Sequence, residues 1–84
     1  MTFTVTYSEE AFYQLKKLDN TTAKRILDKI ISTLENPSHF FERLNGRESY
    51  KLRVGDYRII AFLFFNEKRV FIQSISHRKN VYKR

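Results

Sequence analysis

Residues 51–58 read KLRVGDYR and combine three cationic side chains with a Gly-Asp pair typical of a tight turn. If that pair forms a two-residue hairpin turn, Arg53 lies directly opposite Arg58, and Lys51 lies on the same side of the sheet. At about 5 Å and an effective dielectric of about 20, two like charges repel by about 3 kcal/mol before salt screening. Because forked guanidinium groups match phosphate oxygens in pairs, this spacing favours a phosphate site.

The net charge of the chain points to the same kind of ligand. The formal charge is +7, and its distribution is uneven: residues 1–42 carry a net −1 and residues 43–84 a net +8. This asymmetry indicates a polyanionic partner, with nucleic acid the first candidate and an anionic membrane surface the second. The alternative is that the charge only keeps the chain soluble and the cations splay into water, partly neutralised by Asp56 or Glu48.

A second set of polar residues stands at the end of the chain, in ISHRKNVYKR. Three candidates, His77, Arg78 and Tyr82, lie within six residues, just after the predicted last strand. Since the end of one antiparallel strand lies beside the beginning of the previous one, residues 76–78 return to the neighbourhood of Arg58. Pattern alone leaves open whether His77 or Arg78 points to the face of Arg58. Taken alone, His77 is equally compatible with a surface histidine and Tyr82 with a packing aromatic.

Two helices are predicted after a first strand at residues 3–7. Ser8 offers a helix N-cap, and an apolar stripe at helical spacing follows it: Ala11, Phe12, Leu15 and Leu18. The sequence DNTT at 19–22 ends this helix and caps the next. The second helix ends at Asn36-Pro37 and has its own apolar stripe: Ala23, Ile26, Leu27, Ile30, Ile31 and Leu34. The two helices therefore form an antiparallel α-hairpin.

Three further strands are predicted near 49–54, 57–65 and 69–76, after a long connection at 37–47. The order β-α-α-β-β-β predicts one α+β domain over residues 1–84, with the α-hairpin on one face of a mainly antiparallel four-stranded sheet.

The strand YRIIAFLFF is apolar on both faces, which is typical of a central strand. One face packs on the helices, so Ile60, Phe62 and Phe64 on the other face predict a covering partner segment or a second copy of the chain. The alternative is that the C-terminal residues fold back over them.

Composition excludes several classes of protein. The chain has no cysteine, so disulfides, thiolate metal sites and thiol nucleophiles are absent, and no convincing metal cluster is present. It contains no run of 18 apolar residues, and its N-terminus lacks the features of a signal peptide. We therefore expect a cytoplasmic protein that does not span a membrane.

The two polar segments together resemble a known family. Tyr-Lys-Leu-Arg-x-Gly-Asp-Tyr-Arg-Ile-Ile, an aromatic strand, and then His-Arg-x-x-Val-Tyr resemble the RelE/ParE superfamily of toxins from type II toxin–antitoxin modules. The resemblance covers essentially the whole chain and implies the same fold. It also implies a cognate antitoxin partner. RelE-like members are metal-free endoribonucleases that cut messenger RNA in the ribosomal A site, whereas ParE-like members inhibit DNA gyrase without cutting RNA.

The resemblance to the ribonuclease branch also implies site residues. Lys51, Arg58, Arg78 and Tyr82 match its catalytic positions, with His77 a further candidate and Arg53 a neighbouring basic position. The remaining cations near the chain end, Lys79, Lys83 and Arg84, are expected to contact RNA phosphates. The chain has Ser49 where the best-known members have a second lysine. The implied reaction is attack of a ribose 2′-hydroxyl on the adjacent phosphate, with Lys51 as general base and no cofactor or metal.

Overall fold

The computed structural model describes residues 2–44 and 48–81, and side chains as far as residue 79. Within this part, the chain forms five strands and four helices in the following order: β1 (Thr4–Tyr7), α1 (Glu9–Lys16), α2 (Asn20–Ser32), α3 (Pro37–Phe40), β2 (Glu42–Arg43), β3 (Ser49–Val54), β4 (Tyr57–Phe64), β5 (Arg69–His77) and α4 (Arg78–Val81). The predicted strands and both long helices are present at nearly the predicted positions.

The strands form one mixed sheet in the order β1-β5-β4-β3-β2. β1 pairs with β5 in parallel, and the other neighbours are antiparallel. The predicted α+β class is therefore confirmed. The described part of the sheet has five strands rather than the four expected, because Glu42 and Arg43 pair with Lys51 and Tyr50.

Side-chain caps explain where the long helices begin. The Ser8 hydroxyl oxygen accepts a hydrogen bond of 2.9 Å from the Ala11 amide at the start of α1. The Asp19 carboxylate accepts one of 3.1 Å from the Thr22 amide at the start of α2. Hydrogen bonds from Thr22, first from its hydroxyl and then from its amide, lower the pKa of the Asp19 carboxyl.

The core lies between the helices and one face of the sheet. It includes Ala11, Ile26 and Ile30 from the helices, with Leu52, Val54, Ile59, Ala61, Leu63, Val70, Ile72 and Ile75 from the strands. Phe12 and Ile31 were expected on the apolar stripes but are among the most exposed large hydrophobic residues of the described chain, each 58% exposed. In α1, Gln14 takes an inward position instead and accepts a hydrogen bond of 2.6 Å from the Ile75 amide.

The connection expected at 37–47 contains short regular elements. Pro37 starts the single turn of α3, which its fixed φ favours. Phe41 is buried in the core, and β2 then runs along the outer edge of β3. Residues 45–47 of this connection lie outside the described part.

Candidate active site

The hairpin between β3 and β4 has the predicted geometry. Gly55 has φ +60, a left-handed conformation that glycine adopts without strain and that a two-residue turn requires. The strand register places Arg53 opposite Arg58 and Lys51 opposite Ile60. Residues that alternate with these cations, including Leu52 and Ile59, are buried in the core. Lys51, Arg53 and Arg58 therefore share the face of the sheet that points away from the core, which we call the open face, and we call these three residues the cationic cluster.

Arg58 is the most constrained member of the cationic cluster. The residue is half-buried, and its Nε atom is buried without a hydrogen-bond partner. Within residues 2–44 and 48–81, no ion pair joins Arg53 or Arg58 to a carboxylate. A buried donor without an acceptor is costly, so the site favours binding of an anion that supplies one.

Among the described residues, the one carboxylate within 4 Å of a side-chain nitrogen of the cationic cluster belongs to Glu42 of β2, rather than to Asp56 or Glu48. Its Oε1 lies 3.8 Å from the Lys51 Nζ, which is too long for a hydrogen bond. The Glu42 side chain is 74% exposed, so the pair is a weak surface interaction. Sequence reasoning missed Glu42 because a two-residue strand leaves no periodic pattern to detect.

The chain end returns to the hairpin as predicted. Ser76 pairs with Arg58 across β4 and β5, on the open face. The Arg78 amide donates a hydrogen bond of 2.7 Å to the Asp56 carbonyl oxygen, which ties the start of α4 to the hairpin turn. Arg78, which is exposed, stands two residues after Ser76.

His77 lies on the other face of the sheet. It pairs with Tyr57, and the two rings contact edge to face, with centroids 5.0 Å apart. Its Nδ1 accepts a hydrogen bond of 3.1 Å from the Lys79 amide. A bulge sets this orientation: Ile60 pairs with Ser74 but Ala61 with Ile72, so Gln73 is an extra residue and the later residues of β5 change faces.

The remaining predicted site residues divide into two groups. Lys79 lies in α4, two residues after His77, and it is exposed. Tyr82, Lys83 and Arg84 lie outside the described residues, so their predicted roles are expectations from the sequence. In the part of the chain that the structure covers, no three His, Asp or Glu side chains are grouped so as to hold a metal ion. In the same part, no helix has the length and apolarity needed to span a membrane.

The model of the family described as the ParE toxin of the type II toxin–antitoxin system parDE matches residues 5–82. No curated protein matched the sequence.

Solved structures of RelE proteins share the fold. The RelBE2 toxin–antitoxin complex from Mycobacterium tuberculosis aligns with a TM-score of 0.82 and 20% identity, covering 93% of this chain and 100% of that chain. The intact RelBE complex of E. coli aligns with a TM-score of 0.74 and 26% identity, covering 92% and 96%. The isolated RelE toxin of E. coli aligns with a TM-score of 0.76 and 23% identity, covering 92% and 84%.

The match to the family model spans nearly the whole chain, and the similar structures have the same arrangement of helices on a sheet. The chain therefore belongs to the ParE toxin family of type II toxin–antitoxin systems, within the RelE/ParE superfamily.

Proposed function

We propose that this toxin is a metal-independent endoribonuclease that cleaves messenger RNA in the ribosomal A site and is neutralised by a cognate antitoxin. The observation that carries the proposal is the opposed pair Arg53 and Arg58, whose charges have no carboxylate partner in the described chain, with the Arg58 Nε buried and unpaired. The similarity to isolated RelE and to RelBE complexes supports the same assignment. Since ribosomes are its target, we expect it to act in the cytoplasm.

In this mechanism the RNA supplies its own nucleophile. The ribose 2′-oxygen attacks the adjacent phosphorus while the bond from phosphorus to the 5′-oxygen breaks, giving a 2′,3′-cyclic phosphate and a 5′-hydroxyl end. Arg58 and Arg53 hold the phosphate oxygens and stabilise the charge that develops in the transition state. Lys51, which shares the same face of the sheet with both arginines, accepts the 2′-hydroxyl proton.

The departing 5′-oxygen requires positive charge and a proton. Arg78 is the better candidate to supply the charge, since its amide is hydrogen-bonded to the Asp56 carbonyl oxygen in the hairpin turn, whereas His77 faces the side of the sheet opposite Arg58. Water supplies the proton, because a guanidinium group stays protonated. Tyr82 stacks on a base or orients the 2′-hydroxyl, and Lys79, Lys83 and Arg84 contact flanking phosphates.

A second candidate is a ParE-like inhibitor that binds DNA gyrase without cutting nucleic acid itself. The observation in its favour is that the matching family model is that of ParE toxins. A non-catalytic RNA-binding module is the third candidate. Such a module would tolerate Lys51→Ala and would lose RNA affinity steeply with salt.

Analysis of RNA ends separates these functions. After induced expression, RNA 5′ ends are mapped with and without translation, and the 3′ products are tested for a cyclic phosphate. Translation-dependent cuts that carry cyclic phosphate support the proposed enzyme. Intact messenger RNA with double-strand DNA breaks supports gyrase inhibition instead.

The first prediction concerns metal removal. Because the protein's own cations supply the positive charge, cleavage of ribosome-bound RNA should persist in EDTA at conditions that keep ribosomes intact. The measurement is the initial cleavage rate with and without chelator, with ribosome integrity checked by sedimentation. Loss of cleavage that one specific divalent ion restores, on intact ribosomes, would refute the metal-independent mechanism.

A further inference from the structure

Basic residues continue beyond the cationic cluster onto helix α2. A cavity of about 430 Å³ opens between α2 and the β3–β4 hairpin, and its lining includes Arg25, Lys29 and Arg53. A second cavity of about 350 Å³ is lined in part by Lys29, Lys51 and Arg53. The two cavities share Lys29 and Arg53, so they adjoin each other beside β3, and together they make up one basic surface. We call it the edge groove.

Arg25 lies directly against the hairpin turn. A Cβ atom placed on Gly55 would stand 3.1 Å from the Arg25 Nη1 and 3.2 Å from its Nη2. The guanidinium group therefore packs on the turn that carries Arg53 on one side and leads to Arg58 on the other. Arg25 extends the positive surface of the cationic cluster around the end of the hairpin.

The charges of the edge groove are poorly balanced. Its two carboxylates, Asp28 and Glu42, are both exposed; Asp28 lies 2.7 Å from Lys24 outside the groove, and Glu42 lies 3.8 Å from Lys51. In the described chain, no ion pair is made by Arg25 or Lys29. The Lys29 ammonium lies 5.0 Å from the centre of the Phe40 ring, which positions it without neutralising its charge.

We propose that the edge groove binds the backbone phosphates of single-stranded RNA next to the phosphate held by Arg58. This inference rests on the proposed ribonuclease function, which places an RNA strand on the cationic cluster. Arg53 and Lys29 line both cavities and Arg25 lines the cavity at the hairpin turn, so a strand leaving the cluster at Arg53 would find these further cations within the edge groove. Arg25 and Lys29 are then binding residues that set affinity without taking part in the bond-breaking step.

The test measures the salt dependence of RNA binding. A fluorescent 2′-O-methyl oligonucleotide, which cannot be cleaved, is titrated with wild-type protein and with R25A/K29A over a series of KCl concentrations. The dependence of log affinity on log salt should become shallower by about 0.7 for each phosphate that is no longer neutralised, and so by about 1.4 for the pair. The control K16A/K17A removes the same charge from exposed positions at the end of α1 and should keep the wild-type slope.

The outcomes separate this inference from the proposed function, because cleavage of unmodified messenger RNA by wild-type protein on ribosomes is measured in parallel. If the slope for R25A/K29A equals that of the control, the edge groove does not bind RNA phosphates, even if the wild type cuts RNA. A shallower slope supports the groove even if the wild type cuts nothing, in which case the enzymatic function alone fails. If R25A/K29A loses affinity for poly-L-glutamate but keeps the wild-type slope for RNA, the groove binds an acidic protein rather than RNA.

Discussion

At the scale of single residues, the structure brings like charges together where folding gains nothing from them. Directly opposed like charges destabilise a strand pair, yet Arg53 and Arg58 are paired across the hairpin. This register follows from the sequence, because a two-residue Gly-Asp turn determines which residues of β3 and β4 are paired. The position of Glu42 beside Lys51 could not be predicted, since it depends on pairing between β2 and β3 rather than on any local pattern.

The second prediction concerns Glu42, the acidic neighbour of Lys51. E42Q removes a negative charge 3.8 Å from the Lys51 Nζ and should therefore tighten RNA binding. Because the carboxylate is exposed, the gain should be less than about 1 kcal/mol, or roughly fivefold in affinity. Anisotropy titration with a non-cleavable oligonucleotide measures it. E67Q, which removes an exposed carboxylate paired with Arg69 at the other end of the hairpin strands, is the control and should change affinity less. Weaker binding by E42Q would contradict the placement of the phosphate beside Lys51.

At the scale of elements, α1 completes the hydrogen bonding of β5 where β1 ends. β1 pairs with β5 as far as Tyr7 and Ile72. Beyond that point, the Ser8 hydroxyl donates to the Gln73 carbonyl oxygen at 2.7 Å, and the Gln14 side chain accepts from the Ile75 amide. The helix thereby supports the bulged strand that directs Ser76 to the open face and His77 away from it.

The elements themselves could be predicted from periodicity and caps, whereas a strict alternating pattern misses the bulge. An alternating strand from Val70 would place residues 72, 74 and 76 on the core face, whereas the structure buries Ile72 and Ile75. The three-residue spacing of these isoleucines is the signal that marks Gln73 as the extra residue. Phe12 was wrongly expected in the core for a similar reason, because apolar spacing cannot show that Gln14 is needed inside.

The third prediction tests this support. Q14L removes the acceptor of the partly buried Ile75 amide and should lower the free energy of unfolding by about 1–3 kcal/mol. Urea denaturation followed by circular dichroism measures the loss. E10A removes a carboxylate 3.3 Å from the Gln14 Nε2 at the surface and should cost within about 0.5 kcal/mol. Equal stabilities for Q14L and E10A would show that the hydrogen bond to β5 is unimportant.

At the scale of the whole molecule, the open face joins the cationic cluster to an aromatic surface. Phe62 and Phe71 are half-buried, and their rings stack with centroids 6.2 Å apart. Phe64 lies next to Phe62, at 6.3 Å. A half-exposed aromatic surface beside unpaired cations suits a partner that is apolar and acidic, which agrees with the antitoxin proposed above.

The fourth prediction concerns this partner. F62A removes a ring from the centre of the aromatic surface and should weaken binding of the cognate antitoxin by more than about tenfold. Isothermal titration calorimetry of purified toxin with its antitoxin gives the affinity. F12A removes an exposed ring from α1 and serves as the control, with an expected change of less than about threefold. An antitoxin that binds F62A as tightly as the wild type would leave the aromatic surface without its proposed role.

The central claim is that the cationic cluster is maintained for an RNA phosphate and at the expense of folding, so function and stability should respond in opposite directions when Arg58 is changed. R58M removes the charge and keeps much of the length of the side chain. It should lower RNA cleavage by at least about 100-fold while the thermal midpoint of unfolding stays the same or rises. R69M, at a β5 position whose arginine pairs with Glu67, should keep cleavage and lose some stability.

Cleavage rate and thermal midpoint measured together on R58M, R69M and the wild type are the most direct test. We expect an inactive R58M that is at least as stable as the wild type. Full cleavage by R58M would show that Arg58 does not hold the RNA phosphate. A loss of cleavage that only accompanies unfolding would show that Arg58 serves folding instead.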